Sequence, residues 1–360
     1  MTFVSASLFA ASAAVAAPKY DHIVIVVEEN HGYSQVVGPT ANAPYLNSLI
    51  NGGVLIANAY GEQHPSQPNY FWLFSGSNQG IVSDTPYWTG ANGGPVFTTD
   101  NLYTALQNAA SHSQLPSTNF FGGYVDSGIP GTPVLAPTTT YYQNTTNYVN
   151  RHVPWLGFAN INNGNPAGIT KDFGSDFPTS KTGYSQLPVV SFVIPALNHD
   201  MHDYNNTGGE VSNSTESSTA ITNADTWLKK HLSGYAKWAK THNSLLIVTW
   251  DEDSTADWTT PPNASMNPLG LTAPNLSFNA SSTTSGNSGP NQIAMIFYGA
   301  HLIKTDTPYT VPDVIGVNNI NLLRTIESIY GLSPSGAQTP LATNAGMSNG
   351  PITGIFVEPK

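Results

Sequence analysis

Ile23-Val24-Ile25-Val26-Val27, followed at once by Glu28-Glu29-Asn30-His31, sets the reading of this chain. Five β-branched aliphatic residues in a row describe a strand covered on both faces, the mark of a parallel sheet. Open α/β sheets gather their ligands just beyond the carboxyl ends of such strands. The pattern recurs: Leu245-Leu246-Ile247-Val248-Thr249-Trp250 runs into Asp251-Glu252-Asp253. Val189-Val190-Ser191-Phe192-Val193-Ile194 leads to Asn198-His199-Asp200-Met201-His202-Asp203. Between them, His64-Pro65-Ser66-Gln67-Pro68-Asn69-Tyr70 places a serine between prolines in a strand-to-helix turn.

Working outward, strands are expected at about 22–27, 54–60, 119–124, 189–194, 245–250 and 293–298. Helices are expected around 45–51, 70–74, 100–110, 219–240 and 319–329. In the long helix Ile221, Ala224, Trp227, Leu228, Tyr235 and Trp238 keep helical spacing. Strands alternating with helices predict a three-layer α/β fold, a mostly parallel sheet with helices on both faces. Residues 125–186 are rich in Pro, Gly, Thr and Asn and read as an irregular excursion over the strand ends. Residues 254–290 read as a second long loop. No linker divides the chain, so 18–360 is taken as one domain.

Composition excludes several classes. The 360 residues carry a net charge of -11 without a Lys/Arg cluster, which argues against a nucleic-acid footprint. No cysteine is present, so disulfides, thiol nucleophiles and thiolate metal sites are ruled out. Charged residues make up only 9%, leaving a surface of Ser, Thr, Asn, Gln and Gly that keeps its character in acid. Residues 1–17 resemble a signal peptide with a small-residue cleavage site, though without the usual positive start. Localisation is therefore expected to be secreted or periplasmic, with no integral membrane segment in the mature form.

The chemistry follows from the clusters taken together. Glu29 or Asp251 alone would read as a turn or helix cap. Several carboxylates on one sheet edge, in a chain with few charges, repel one another unless a divalent cation sits among them. Ser66 needs a base, a metal or a depressed pKa to act as a nucleophile, and no Gly-x-Ser-x-Gly elbow surrounds it. A metal-activated hydroxyl at a helix N-terminus fits, with an ordinary capping serine as the bland alternative. His64, His199 and His202 are candidates for proton carriers and donors to phosphate oxygens. His22, His112, His231 and His242 read as structural.

These motifs, in this order, resemble the bacterial phosphoesterase family of secreted acid phosphatases and phosphatidylcholine-type phospholipases C, with an alkaline-phosphatase-like fold. Arg151-His152-Val153-Pro154-Trp155 and Ala224-Asp225-Thr226-Trp227-Leu228 extend the resemblance, which runs from about 20 to 330. It implies that Glu29, Asn30, Ser66, Asp251 and Glu252 hold one or more divalent metal ions. It implies that Ser66 becomes a transient phosphoserine, that His64 and His202 contact the phosphate and act in catalysis, and that Asn30 and His199 also face it. The family's second acidic position is variable, so the resemblance carries over to Asp251 more securely than to Glu252.

The substrate expected is a phosphate-ester small molecule or a phospholipid headgroup. The leading reading is a secreted, metal-dependent acid phosphatase, because the long C-terminal extension of the larger phospholipases C is missing. A phospholipase C or phosphoinositide phosphatase is the near alternative. An apolar trough formed by 125–186 and 254–290 would favour it. From another class, a catalytically silent surface protein binding through aromatic loops would not require Ser66, His64 and the carboxylates together.

Overall fold

A computed structural model describes residues 17–38, 42–84, 97–126, 148–161, 169–205, 207–254, 291–305, 308–312, 316–336 and 350–358. The expected leader up to residue 16 and nearly all of the 254–290 loop lie outside the described residues. The chain begins with strand β1 (His22–Glu28), helix α1 (Tyr33–Val36), helix α2 (Pro44–Gly52) and strand β2 (Val54–Tyr60). Helices α3 (Ser66–Ser75) and α4 (Leu102–Ser111) precede strand β3 (Phe121–Val125) and the 3-10 turns Asn150–His152 and Pro154–Gly157. Strand β4 (Thr170–Asp172), helices α5 (Phe173–Asp176) and α6 (Lys181–Tyr184) and strand β5 (Val190–Ile194) follow. Helix α7 (Ser214–Ala239), strands β6 (Ser244–Trp250), β7 (Gln292–Gly299) and β8 (Val317–Asn318), and helix α8 (Asn319–Tyr330) complete the fold.

The eight strands form one sheet in the order β4-β3-β5-β1-β6-β7-β2-β8. Only β7 runs against its neighbours; the other pairings are parallel. The most aliphatic segments, β1, β5 and β6, stand side by side near the centre and are buried almost end to end. The helices fall into two groups that pack internally, α2 and α6 on α7, and α3 and α4 on α8, one group for each face. The resulting α/β sandwich is the three-layer arrangement that strand–helix alternation implies.

Local chemistry sets the helix ends. Asn213 caps α7 by accepting from the amides of Thr215 and Glu216. The helix therefore starts five residues before its apolar spacing becomes visible at Thr219. Asn318 caps α8 in a reciprocal box with Asn321, and Gly331 closes it in the left-handed conformation at φ 64°. The stretch 125–186, expected to be irregular, contains β4, α5 and α6, each only three or four residues long. Beneath α3 lies an aromatic block in which Phe74 packs on Phe121, Trp155, Phe158 and Phe192. A Cβ at Gly123 would lie 2.2 Å from the Trp155 ring, so β3 takes glycine where the indole crosses it.

Candidate active site

Successive side chains of a strand point to opposite faces, and at the end of β1 this divides two adjacent carboxylates. Glu29 emerges on the α3 side, where Ser66 Oγ lies 2.9 Å from its Oε2. Glu28 is turned toward α7, fully buried, where burial first and then the charges of Asp225 and Glu29 hold its carboxyl well above the usual range. The parallel pairing of β1 with β6 then brings Asp251 and Glu252 to the same edge, and the Asp251 amide donates to the Glu28 carbonyl at 3.1 Å.

Ser66 is the first residue of α3, with Pro65 in the capping position. Its hydroxyl makes no helix cap. It stands 2.9 Å from Glu29 Oε2 and 3.0 Å from Glu252 Oε1. A hydroxyl carries one proton, so it satisfies only one of these carboxylates at a time. One turn further along α3, the Tyr70 hydroxyl donates to Glu29 Oε1 at 2.8 Å, and His152 Nε2 lies 3.0 Å from the same oxygen. The Tyr70 and His152 rings stack at 4.7 Å.

Glu29, Asp251 and Glu252 each offer an oxygen within 4.8 Å of the others, all buried. Both Asp251 oxygens and Asn30 Oδ1 are buried with no hydrogen-bond partner among the described residues. Burial raises the Asp251 and Glu29 carboxyls, and the Glu29 and Glu252 charges push Asp251 up further, well above the usual range. Burial also lifts Glu252 to about 7, against the opposing pull of His64. Unpaired buried carboxylates are costly, and a cation among them removes both the repulsion and the unmet acceptors. Glu29, Asp251 and Glu252, with the Ser66 hydroxyl beside them, offer oxygen donors alone, which fits a hard divalent cation.

The histidines divide by their partners. His64 Nδ1 lies 2.7 Å from Glu252 Oε2 and its Nε2 3.1 Å from Asp253 Oδ1. Burial alone would lower its pKa, but those carboxylates outweigh it and hold the ring charged up to about 10. His202 Nδ1 is bound to Asp203 Oδ1 at 2.7 Å, which leaves Nε2 as the available nitrogen. Burial opposes its charge, yet Asp203 and Glu29 raise its pKa overall. His152 is pushed well down by burial and by the charges of Arg151 and His202, so it is neutral beside Glu29.

Of the residues singled out in the sequence, Glu29, Ser66, His64, Asp251 and Glu252 meet directly, and the His202 charge bears on Glu29. Asn30, at φ 51°, turns the chain immediately after Glu29. Both ring nitrogens of His64 face carboxylates, Glu252 at 2.7 Å and Asp253 at 3.1 Å. His199 is drawn elsewhere: Nδ1 lies 2.9 Å from Asp126 Oδ2, and the ring stacks on Trp227. It lines a neighbouring cavity of about 680 Å³ with Asp126, Asp172, Phe173, Trp227 and Lys230. Tyr70, His152, Asp200 and Asp253 were not singled out as site residues. All four lie in segments already quoted, but nothing in one dimension places Tyr70 and His152 on Glu29.

Residues 39–333 match the model of the Phosphoesterase family. The chain is 36% identical over 344 residues to the phosphatidylinositol-3-phosphatase of Mycobacterium tuberculosis (strain ATCC 25618 / H37Rv), covering 96% of this chain and 85% of that one. It is 26% identical over 239 residues to the phosphate-repressible acid phosphatase of Penicillium chrysogenum, covering 66% of this chain and 49% of that protein. Among solved structures, a protein in the alkaline phosphatase superfamily from Vibrio parahaemolyticus matches at 14% identity and a TM-score of 0.44, over 94% of this chain and 72% of that one.

Proposed function

Because this chain belongs to the Phosphoesterase family, we propose that it is an exported acid phosphatase that hydrolyses phosphate monoesters through a phosphoserine on Ser66. One observation carries this reading: the Ser66 hydroxyl opens α3 between two carboxylates and does not cap the helix. In the first step Ser66 Oγ bonds to phosphorus as the bond to the alcohol oxygen breaks, and its proton passes to Glu29 or Glu252. His202, charged through Asp203, gives a proton to the departing alkoxide from Nε2. In the second step water attacks the phosphoserine, phosphate leaves, and Ser66 recovers its proton. Tyr70 and His152 fix the far oxygen of Glu29, and His64 fixes Glu252, so both carboxylates keep their aim on the hydroxyl.

A divalent cation held by Glu29, Asn30, Ser66, Asp251 and Glu252 would supply the charge neutralisation that phosphoryl transfer needs. The protein is read as one domain over 18–360, exported after loss of 1–17. No helix among the described residues is long and apolar enough to cross a membrane. A lipid phosphoester as substrate is the second reading, favoured by the phosphoinositide activity named for the mycobacterial relative. The cavity beside His199 mixes charged and polar groups (Asp126, Asp172, Asn198, Lys230) with the rings of Phe173 and Trp227, so it offers both a headgroup and an apolar portion a surface.

Rates on p-nitrophenyl phosphate, p-nitrophenyl phosphorylcholine and a short-chain phosphatidylinositol 3-phosphate across pH 4–9 test these readings. The expected result is monoester turnover, little on the choline diester, and loss of at least about a thousandfold in Ser66→Ala. Exhaustive chelation should also abolish turnover. A Ser66→Ala protein that keeps a tenth of the activity would sink the nucleophile assignment, and full activity in metal-free protein would sink the cation.

A further inference from the structure

The chain has two arginines, and they are used in opposite ways. Arg324 is fully employed, bonded to the Glu327 carboxylate and the Ser335 carbonyl. Arg151, in the turn that also carries His152, makes no hydrogen bond to any described residue, and its Nε is buried without one. Its side chain is only 15% exposed, and its one ionic neighbour among the described residues is Asp84, with Nε 3.6 Å from Oδ2. That separation is too long for a hydrogen bond. Yet the guanidinium is close enough for its charge to act on Glu29, His152 and His202. A largely buried cation whose Nε has no hydrogen-bond partner among the described residues, beside an anion-processing site, suits an oxyanion, and the planar fork of arginine matches two phosphate oxygens.

Asp84 sits at the same spot from the other side. Its Oδ1 accepts the Gln67 amide at 2.9 Å, the residue after Ser66 in the first turn of α3. Its charge also bears on Glu252. One carboxylate thus lies between a helix-end amide and a guanidinium, both groups that attract phosphate. The histidines expected to take phosphate oxygens leave room for this role. His64 lies between Glu252 and Asp253, His199 is turned toward Asp126, and of the three only His202 is left facing the Glu29 side of the site, with Nε2 available.

Resting on the phosphatase reading, we propose that Arg151 anchors two non-bridging oxygens of the substrate phosphate, and that Asp84 is a resident anion which holds the guanidinium and the α3 amide until phosphate displaces it. Asp84 then weakens phosphate binding and favours release of the product. Arg151 touches substrate; Asp84 acts through the groups it occupies.

The test is the binding of inorganic phosphate, measured by titration calorimetry and as inhibition of p-nitrophenyl phosphate hydrolysis. Arg151→Ala should raise both the inhibition constant and KM at least about tenfold, the value of one charge-assisted pair. Arg151→Lys should recover part of the loss, since it keeps the charge without the fork. Arg151→Gln replaces the alanine variant if that one unfolds. Asp84→Asn, which keeps an acceptor for Gln67, should tighten phosphate and lower kcat through slower release. Unchanged phosphate affinity in folded Arg151→Ala overturns the anchor. Weaker phosphate binding in Asp84→Asn overturns the competing anion, because it would mean that Asp84 holds Arg151 in its working position. Ser66→Ala keeps the anchor and should still bind phosphate. Failure of both wild type and Ser66→Ala to bind it would instead sink the phosphatase reading itself.

Discussion

His202 shows how one residue inherits its chemistry from its neighbour. Asp203 takes Nδ1 at 2.7 Å and, with Glu29, keeps the ring charged above its ordinary pKa of 6.5 despite burial. A raised pKa extends the charged form upward in pH, and that form is lost as pH rises through the shifted value. Activity that depends on charged His202 therefore holds through the acid range and falls on the alkaline side. Asp203→Asn removes the largest upward contribution, so the alkaline limb of the kcat/KM profile should move to lower pH while the acid limb stays. A limb that does not move would remove His202 from the proton transfers. None of this was legible from residue type alone. Residue type marked His64, His199 and His202 alike, the resemblance set His199 behind the other two, and their spatial partners separate all three.

At the scale of elements, legibility followed length and burial. Strands β1, β2, β5, β6 and β7 were readable because a strand covered on both faces must be aliphatic throughout. The reversed direction of β7 was not, since a parallel and an antiparallel core strand share one composition. The elements β4, α5 and α6 were too short to show a period, and the start of α7 was hidden in Ser and Thr until Asn213 was seen to cap it. Ser66, Glu29, Asp251 and Glu252 were legible because strand ends and helix starts carry chemistry in this kind of sheet. His152 was not, because a 3-10 turn brings it to Glu29 across 123 positions of chain. That turn leads into Trp155, which lies on β3 at Gly123. Gly123→Ala should therefore drive a methyl into the indole and cost at least about 2 kcal/mol in chemical denaturation. Wild-type stability in that variant would show that the indole is free to shift.

The whole molecule is sparing with charge, at 9% of residues, and it buries some of what it has. Glu62 accepts from the Ile320 amide at the start of α8, and burial lifts its carboxyl from 4.5 to about 8 despite that bond. The folded state then binds a proton that the unfolded chain has already released, so stability falls as pH rises from about 4.5 to about 8. Over that window the loss is on the order of a few kcal/mol. Glu62→Gln should flatten the dependence of Tm on pH across that range, and an unaltered slope would assign it to other groups. Glu62 by itself thus favours the fold on the acid side of neutrality. Helix α3 adds a constraint of a different kind. All ten of its residues are buried, and Ser66, the proposed nucleophile, is the first of them. No edge of that helix is free to fray by itself, so its amides exchange hydrogen only when the sheet and its cover separate. Heat should then extinguish catalysis along the same curve as it melts the fold, with no warm interval in which an intact shell encloses a disarmed serine.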